Sequence, residues 1–127
     1  RRALALDPEQ AEVHFHIGRI LVRADSLAQG VAHYRRALEV APKMVEGHYN
    51  LGTVLLRQGR AEEALPYLRA VAALQPQLAS ARNNLGIALQ LVGRSDEALV
   101  EFRRAVELRP DYADARENIA AAMRAVR

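Results

Sequence analysis

Four prolines recur along the chain at a constant interval. Pro8, Pro42, Pro76 and Pro110 are each 34 residues apart, and no insertion breaks this count anywhere in the 127 residues. Because the residue before a proline avoids the helical region, each proline is expected to mark the end of a helix. A fixed period of this length predicts a solenoid, in which each repeat is one structural unit that stacks on the next.

Each period contains two stretches in which apolar residues have helical spacing. In the first period, Val13, Ile17 and Ile20 recur three or four residues apart, as on one face of a helix. A short break follows in each period, "ADS" at 24–26, "QGR" at 58–60 and "VGR" at 92–94. A second helical stretch then runs to the proline. The sequence therefore predicts a pair of helices in each period.

Residues around these breaks predict where the helices end and begin. Gly59 and Gly93 suit the left-handed backbone conformation that often ends a helix. Ser26 with Gln29 fits a capping box at the start of the second helix. Ser95, followed by acidic residues, is the expected cap of the corresponding helix two repeats later.

Glycines recur inside the first helix of each repeat. With the prolines counted as position 32, position 8 is Gly18, Gly52 and Gly86. Glycine costs about 1 kcal/mol relative to alanine in a helix interior. We attribute these glycines to a close approach of the two helices of a repeat. At Gly86 the missing side chain would leave room for the ring of Phe102, and burial of that ring would offset the cost at ~25 cal/mol per Å².

The 34-residue period, with small residues at positions 8, 20 and 27, resembles the tetratricopeptide repeat (TPR) over essentially the whole chain. The resemblance implies an all-α fold, a right-handed α–α superhelix of helix–turn–helix repeats. We count a single array with three complete repeats, 11–44, 45–78 and 79–112. Residues 1–10 match the end of a preceding repeat. Residues 113–127 match the first helix of a further repeat, which would act as a cap.

Asparagine dominates position 6 of the first helices. This position is His16, Asn50, Asn84 and Asn118 in successive repeats. In TPR superhelices the face of the first helix that contains position 6 lines the concave groove. In the TPR superhelices of O-GlcNAc transferases, a row of asparagines on this face holds peptide backbones. A side-chain amide both donates and accepts hydrogen bonds, so such a row suits an extended main chain of any sequence. The alternative is structural, because the same asparagines can bridge neighbouring helices.

We therefore predict a protein–protein interaction module, and not an enzyme, whose concave groove binds an extended peptide or a helix of another protein. The candidate groove residues are Phe15, His16, Arg19, Arg23, Tyr49, Asn50, Arg57, Asn83, Asn84 and Asn118. Arginines beside aromatic residues suit carboxylates and planar groups. Glu12 and Glu46 could instead neutralise those arginines in internal ion pairs.

Two other functions stay open from the sequence. The array could be the substrate-recruiting arm of a larger enzyme, such as a glycosyltransferase, or it could serve mainly for self-association. Chaperone-binding TPRs hold a C-terminal carboxylate at five groove positions. Here those positions are Phe15, Arg19, Asn50, Ser80 and Asn84, and only Asn50 matches. We therefore expect that chaperone-type acidic C-terminal tails do not bind.

Composition argues against several other classes of function. The formal charge is +3, from 18 basic and 15 acidic residues, which is too balanced to predict a nucleic-acid partner. No apolar run approaches the roughly 18–20 residues that would cross a membrane. There is no cysteine. The pair Glu12 and His16 has chelating spacing but no evident third ligand, so we expect no metal and no cofactor. The cellular compartment stays open.

The last helix is expected to be an imperfect cap. We predict that Ala113, Ile119, Ala120 and Met123 cover the third repeat, and that Ala122 and Val126 stay without cover. Exposed apolar surface of this kind often marks an interface. We therefore predict weak self-association through this helix.

Overall fold

The computed structural model describes residues 7–126, and all regular structure in that range is α-helical. The seven helices are α1 (Pro8–Arg23), α2 (Leu27–Val40), α3 (Val45–Arg57), α4 (Ala61–Leu74), α5 (Ala79–Leu91), α6 (Ser95–Leu108) and α7 (Ala113–Ala125). They pack as the pairs α1–α2, α3–α4 and α5–α6, and α7 packs against α6. The predicted all-α solenoid of paired helices is confirmed. The divisions at 11–44, 45–78 and 79–112 remain a proposal, which we use for numbering.

The first helices of neighbouring repeats form the inner side of the array. Helix α3 contacts α5, and α5 contacts α7. The second helices are linked at their surfaces by long side chains. Arg35 of α2 lies 3.6 Å from Glu63 of α4, and Arg69 of α4 lies 3.9 Å from Glu97 of α6. The direct contacts place the first helices on the concave side, and the ion pairs follow the 34-residue period on the outer side.

The turn between the helices of a repeat uses a left-handed residue each time. Gly59 has φ +75° and Gly93 has φ +85°, which confirms the predicted glycine turns. The corresponding residue of the first repeat is Asp25, with φ 64°. A left-handed conformation places Cβ too close to the following carbonyl oxygen, and only glycine avoids this cost. Asp25 is therefore a strained version of the turn that Gly59 and Gly93 form without strain.

We expect Asp25→Gly to raise the free energy of unfolding by about 1 kcal/mol, because it removes this strain. The ion pair with Arg57 that it also removes is long, at 3.7 Å, and its Asp25 side chain is 83% exposed, so its loss costs little. Urea unfolding followed by circular dichroism measures the difference. Gly59→Ala is the reciprocal control. No atom lies within 4 Å of the Cβ that it adds, so the left-handed backbone conformation alone should make it destabilising, by a similar amount. A stability unchanged by either substitution would contradict the argument.

The two predicted serine caps are wrong. Ser26 precedes α2 as expected, but its side chain makes no capping hydrogen bond. Ser95 is the first residue of α6, and the residue before the helix is Arg94. Arg94 donates two hydrogen bonds to Glu97, at 2.7 and 2.9 Å. These hydrogen bonds lower the pKa of the Glu97 carboxyl. An arginine–glutamate bridge thus spans the start of this helix where we expected a serine cap.

The glycines at position 8 accommodate the residues at position 24 of the same repeat. A Cβ on Gly18 would lie 2.7 Å from Cε1 of Tyr34, and a Cβ on Gly86 would lie 2.5 Å from Cε1 of Phe102. At Gly52 the same contact would be 2.6 Å, to Cδ2 of Leu68. The rings of Tyr34 and Phe102 are buried at the centre of their repeats. The predicted close approach of the paired helices is confirmed.

A second pair of positions, 19 residues apart, also joins the two helices of each repeat. In the first repeat, His14 Nδ1 lies 3.0 Å from His33 Nδ1. In the second, the rings of His48 and Tyr67 are 6.0 Å apart. The third repeat uses an ion pair of 3.1 Å between Arg82 and Glu101, with side chains only 16% and 19% exposed. The same pair of repeat positions thus makes a different kind of contact in each of the three repeats.

The ends of the array differ from expectation. Helix α1 begins at Pro8, three residues before the predicted start of the first repeat, because Asp7 caps it by accepting a hydrogen bond of 3.0 Å from the Glu9 amide. The part of the expected preceding repeat at residues 1–6 lies outside the described residues. On α1, Val13 and Ile20 are exposed at positions where later repeats are buried against the repeat before them.

The predicted buried stripe of α7 is wrong. Ala113, Ala120 and Met123 are exposed, and Ile119 is half-buried. Ala115 and Ala122 instead pack against the third repeat, both fully buried, so the prediction that Ala122 stays without cover is also wrong. The reason is that position 8 and its neighbours face the second helix of their own repeat, as Gly86 faces Phe102. Val126 is exposed, as predicted.

Candidate functional site

The concave side carries an open pocket between the first and second repeats, which we call the first-repeat pocket. Its volume is about 230 Å³. The lining residues are Arg19, Val22 and Arg23 of α1, Tyr34 of α2, and Asn50, Thr53, Val54 and Arg57 of α3. Four of the predicted groove residues therefore meet at one place, namely Arg19, Arg23, Asn50 and Arg57. The pocket is rich in hydrogen-bond donors.

Tyr34 reaches this pocket from the second helix. Its ring lies across the backbone of α1 at Gly18, where a side chain would block it. The residue is 2% exposed, and its hydroxyl accepts a long hydrogen bond of 3.5 Å from Asn50 Nδ2. Burial raises the pKa of the phenol, although Asn50 and Arg19 oppose the shift. The hydroxyl therefore stays protonated at neutral pH, as a donor at the edge of the pocket.

The arginines of the pocket are largely free of internal partners. Arg57 lies 3.7 Å from Asp25, and both side chains are more than half exposed. Within residues 7–126, Arg19 and Arg23 form no ion pair, and neither do Glu12 and Glu46. The alternative in which those glutamates neutralise the groove arginines is therefore wrong for this structure.

Phe15 and His16 lie beside the pocket. Phe15 is 8% exposed and belongs to the core, with its ring centroid 5.7 Å from that of Tyr34. The guanidinium carbon of Arg19 lies 5.9 Å from the centre of the Phe15 ring. His16 is exposed. Phe15 thus supports the pocket from behind, whereas His16 is accessible from solvent.

A second polar cluster lies further along the concave side, between α5 and α7. Asn83 is 4% exposed, and its Oδ1 accepts a hydrogen bond of 2.9 Å from Asn118 Nδ2. Burial raises the pKa of the neighbouring Tyr112 phenol, and Tyr49 adds to the shift, while Arg109, 4.4 Å from the ring centre, and Asn83 oppose it. The Asn83–Asn118 bond joins two repeats, which is the structural role left open for these asparagines.

Asn84 differs from the other asparagines. It is half-buried on α5, and its side-chain amide makes no hydrogen bond to any residue in 7–126. Over the same residues, the Asn50 side chain makes only the long bond to Tyr34. These two amides of the position-6 row keep most of their hydrogen-bonding capacity for another molecule.

Sequence reasoning missed Tyr34, Thr53 and Tyr112. Tyr34 stands at position 24, where Leu68 and Phe102 are apolar, so the period by itself indicates only a core ring there. The signal was the hydroxyl itself, since a buried tyrosine oxygen needs a polar neighbour. Thr53 lies one helical turn after Asn50 on α3, and Tyr112 directly precedes α7, the helix of Asn118. Nothing in the period distinguishes these two residues.

No cluster of three or more metal-ligating side chains occurs among the described residues. Over the same range, none of the helices has both the length and the apolar character needed to cross a membrane.

The paired helices and their donor-rich concave side define the class of a helical-repeat interaction module. The profile of the tetratricopeptide repeat matches residues 43–111, and a second profile of the same repeat matches residues 1–44. The chain belongs to the tetratricopeptide repeat family. No curated protein sequence matches it.

Solved structures share the fold. The first TPR of Spaghetti (RPAP3), bound to the HSP90 peptide SRMEEVD, has a TM-score of 0.89 and 18% identity over 98% of both chains. MamA of AMB-1 is 31% identical, with a TM-score of 0.84, over 90% of this chain and 62% of that chain. An O-GlcNAc transferase of Thermobaculum terrenum is 27% identical, with a TM-score of 0.78, over 91% of this chain but 22% of its own.

Proposed function

We propose that the chain is a non-catalytic module that binds an extended peptide of a partner protein along its concave side. The observation that carries the proposal is the pair of largely unsatisfied amides, Asn50 and Asn84, at the same position of neighbouring inner helices. A helix of the partner is the other ligand that such a groove accommodates. The TPR of Spaghetti, whose structure contains a bound peptide, supports the proposal as an example of the same fold used in this way.

The asparagines divide into two groups in this proposal. Asn50 and Asn84 bind the main chain of the peptide, because their amides are free to donate and accept. Asn83 and Asn118 hold two repeats together through their mutual hydrogen bond. The groove residues Tyr49 and His16 contribute contact surface at either side of this pair.

A selection from a displayed library of random 12-residue peptides tests the proposal. We expect Asn50→Ala/Asn84→Ala to weaken the selected peptides about 10-fold or more, since two main-chain hydrogen bonds of about 1 kcal/mol each are lost. The loss should be similar for peptides of unrelated sequence, because main-chain contacts carry it. Fluorescence anisotropy with labelled peptides measures the affinities.

The matched control is Gln75→Ala/Gln77→Ala, which removes two exposed amides from the loop after α4. This variant should bind like the native protein. Equal binding by the Asn50/Asn84 variant, at unchanged melting temperature, would overturn the main-chain role of the row. A selection that yields no binding peptide would overturn the groove as a peptide site.

A second candidate is the substrate-recruiting arm of a glycosyltransferase. The similarity to the Thermobaculum terrenum enzyme favours it, as does the asparagine row. The discriminating measurement is the same selection carried out with the full-length protein, followed by a glycosyl-transfer assay on the selected peptides. Transfer to peptides that depend on Asn50 and Asn84 for binding would support this candidate, and absence of transfer would exclude it.

Self-association through α7 stays a prediction, but the exposed surface includes Ala120 and Met123 in place of the expected Ala122. Two large apolar side chains are exposed at this end, Met123 of α7 at 47% and Val126, directly after α7, at 41%, and Ala120 of α7 is also exposed. They occupy the face that a second helix covers in the other repeats. We expect sedimentation velocity to show a weak dimer that grows over a hundredfold range of concentration and is lost in Met123→Glu. A monomer at every concentration would contradict the prediction.

A further inference from the structure

We infer that the first-repeat pocket binds an acidic side chain of the bound peptide, a carboxylate or a phosphoryl group. The inference rests on the proposed peptide binding and adds the chemical class that the groove prefers. It concerns anionic side chains within the peptide, and not the C-terminal carboxylate that chaperone-binding TPRs recognise.

The charge of the pocket is the first argument. Three guanidinium groups line it, from Arg19, Arg23 and Arg57, and no described acidic residue does. The nearest internal anion is Asp25, which reaches Arg57 only at 3.7 Å from a position that is 83% exposed. An exposed pair of this length is weak and exchanges readily for a better acceptor. Guanidinium groups bind carboxylate and phosphate oxygens in paired hydrogen bonds, so this set of arginines suits an oxyanion.

The Tyr34 hydroxyl is the second and independent argument. The residue is 98% buried and lines the pocket, and its oxygen accepts a hydrogen bond of 3.5 Å from Asn50, which lines the pocket too. Its own hydrogen has no acceptor within residues 7–126. An anion in the pocket would accept this hydrogen in a charge-assisted hydrogen bond. The pocket thus offers the Tyr34 hydroxyl as a neutral donor beside three cations, while the Thr53 hydroxyl already donates to the Asn50 carbonyl oxygen at 3.0 Å.

The pocket is particular to the first repeat. At the position of Tyr34, the next two repeats have Leu68 and Phe102, which carry no polar atom. At the position of Arg19, the next two repeats have Thr53 and Ile87, which carry no charge. The anion site therefore fixes one place along a groove whose asparagines are otherwise repeated, and this gives a bound peptide a defined register.

Pairs of C-terminally amidated peptides test the inference. A peptide selected by the native protein is synthesised with glutamate, glutamine, serine or phosphoserine at each acidic position in turn. We expect the glutamate form to bind about 10-fold more tightly than the glutamine form at one position, a ratio typical of a charge-assisted hydrogen bond. Stronger binding of phosphoserine than of glutamate would identify the phosphoryl group as the source of the anion, and equal binding would identify the carboxylate.

Two pocket variants and one control variant assign the effect to the pocket. Arg19→Gln/Arg23→Gln should make the glutamate and glutamine peptides bind equally, whereas Arg103→Gln/Arg104→Gln, with the same loss of charge on exposed residues of α6, should keep the ratio. Tyr34→Phe keeps the ring against Gly18 and removes only the hydroxyl, so it should lower the ratio about threefold without lowering the melting temperature.

The outcomes separate this inference from the proposed function. If the glutamate and glutamine peptides bind equally while Asn50→Ala/Asn84→Ala still weakens both, the anion site is excluded and peptide binding stands. If the asparagine variant has no effect but the glutamate preference depends on Arg19 and Arg23, the main-chain role fails and the anion site stands. A preference that survives in the Arg19/Arg23 variant overturns the inference.

Discussion

Phe102→Ala is expected to lower the free energy of unfolding by about 3–5 kcal/mol, the range for large-to-alanine changes of a buried aromatic residue. The Phe102 side chain is fully buried, and its ring lies directly over the backbone of α5 at Gly86. Removing it leaves a cavity that the two helices cannot close without breaking their contacts elsewhere. Urea unfolding followed by circular dichroism measures the loss.

The neighbouring glycine gives this prediction a sharper form. In the native protein, Gly86→Ala places a Cβ 2.5 Å from the Phe102 ring, so overpacking should destabilise by about 1–3 kcal/mol. In the Phe102→Ala background the obstacle is gone. The same substitution should then stabilise by about 1 kcal/mol, the difference in helix propensity. The effect of one methyl group is thus expected to change sign.

A double-mutant cycle over the four proteins measures this coupling. Leu38→Ala is a control for a partly buried apolar residue far from Gly86, and the effect of Gly86→Ala should be the same with and without it. An effect of Gly86→Ala that keeps its sign in the Phe102→Ala background would show that the glycine is not required by the ring.

Glu101→Ala is expected to destabilise the protein by about 2–3 kcal/mol. Its carboxylate lies 3.1 Å from Arg82, and the two side chains are 19% and 16% exposed. The Nε of Arg82 is buried and already lacks a hydrogen-bond partner among the residues that the structure describes. Loss of the carboxylate would leave a mostly buried guanidinium unpaired. The penalty for breaking a fully buried pair is about 3–5 kcal/mol, and partial exposure reduces it.

Replacing both partners should have a much smaller effect. Arg82→Met/Glu101→Leu removes the desolvation cost of two charges together with their attraction, and such replacements are often neutral or stabilising. We expect the double variant within about 1 kcal/mol of the native protein. Glu107→Ala, an exposed carboxylate on the same helix, is the control and should change stability by less than about 0.5 kcal/mol. A double variant as unstable as Glu101→Ala would contradict the argument.

The period of the sequence determines much of the fold because it reports packing that is repeated. Pro42 and Pro76 end helices, and Gly52 and Gly86 mark close contacts, so several repeats give the same answer independently. Besides the serine caps, the main error lies where repetition is absent. Helix α7 has no second helix, and the stripe predicted to be buried there, with Ala120 and Met123, is the face that such a helix would cover.

The candidate site was less predictable than the fold. Spacing on the first helices brought together Arg19, Asn50 and Arg57, since they share one stripe. It could not separate Asn83 from Asn84, which are adjacent in sequence, because the hydrogen bond of Asn83 to Asn118 joins residues 35 apart. Nor could it find the role of Tyr34, whose hydroxyl matters only once its ring crosses the backbone at Gly18.

The two sides of the array respond differently to bending. On the concave side, helix backbones touch through packed side chains, which resist compression. On the outer side, the second helices are linked by the long pairs Arg35–Glu63 and Arg69–Glu97, with side chains about half exposed. Such links stretch easily and weaken as salt is added. The outer side of the array is therefore expected to lengthen or shorten more easily than the inner side. We expect the curvature of the array to change with ionic strength, while the spacing of the inner helices stays constant.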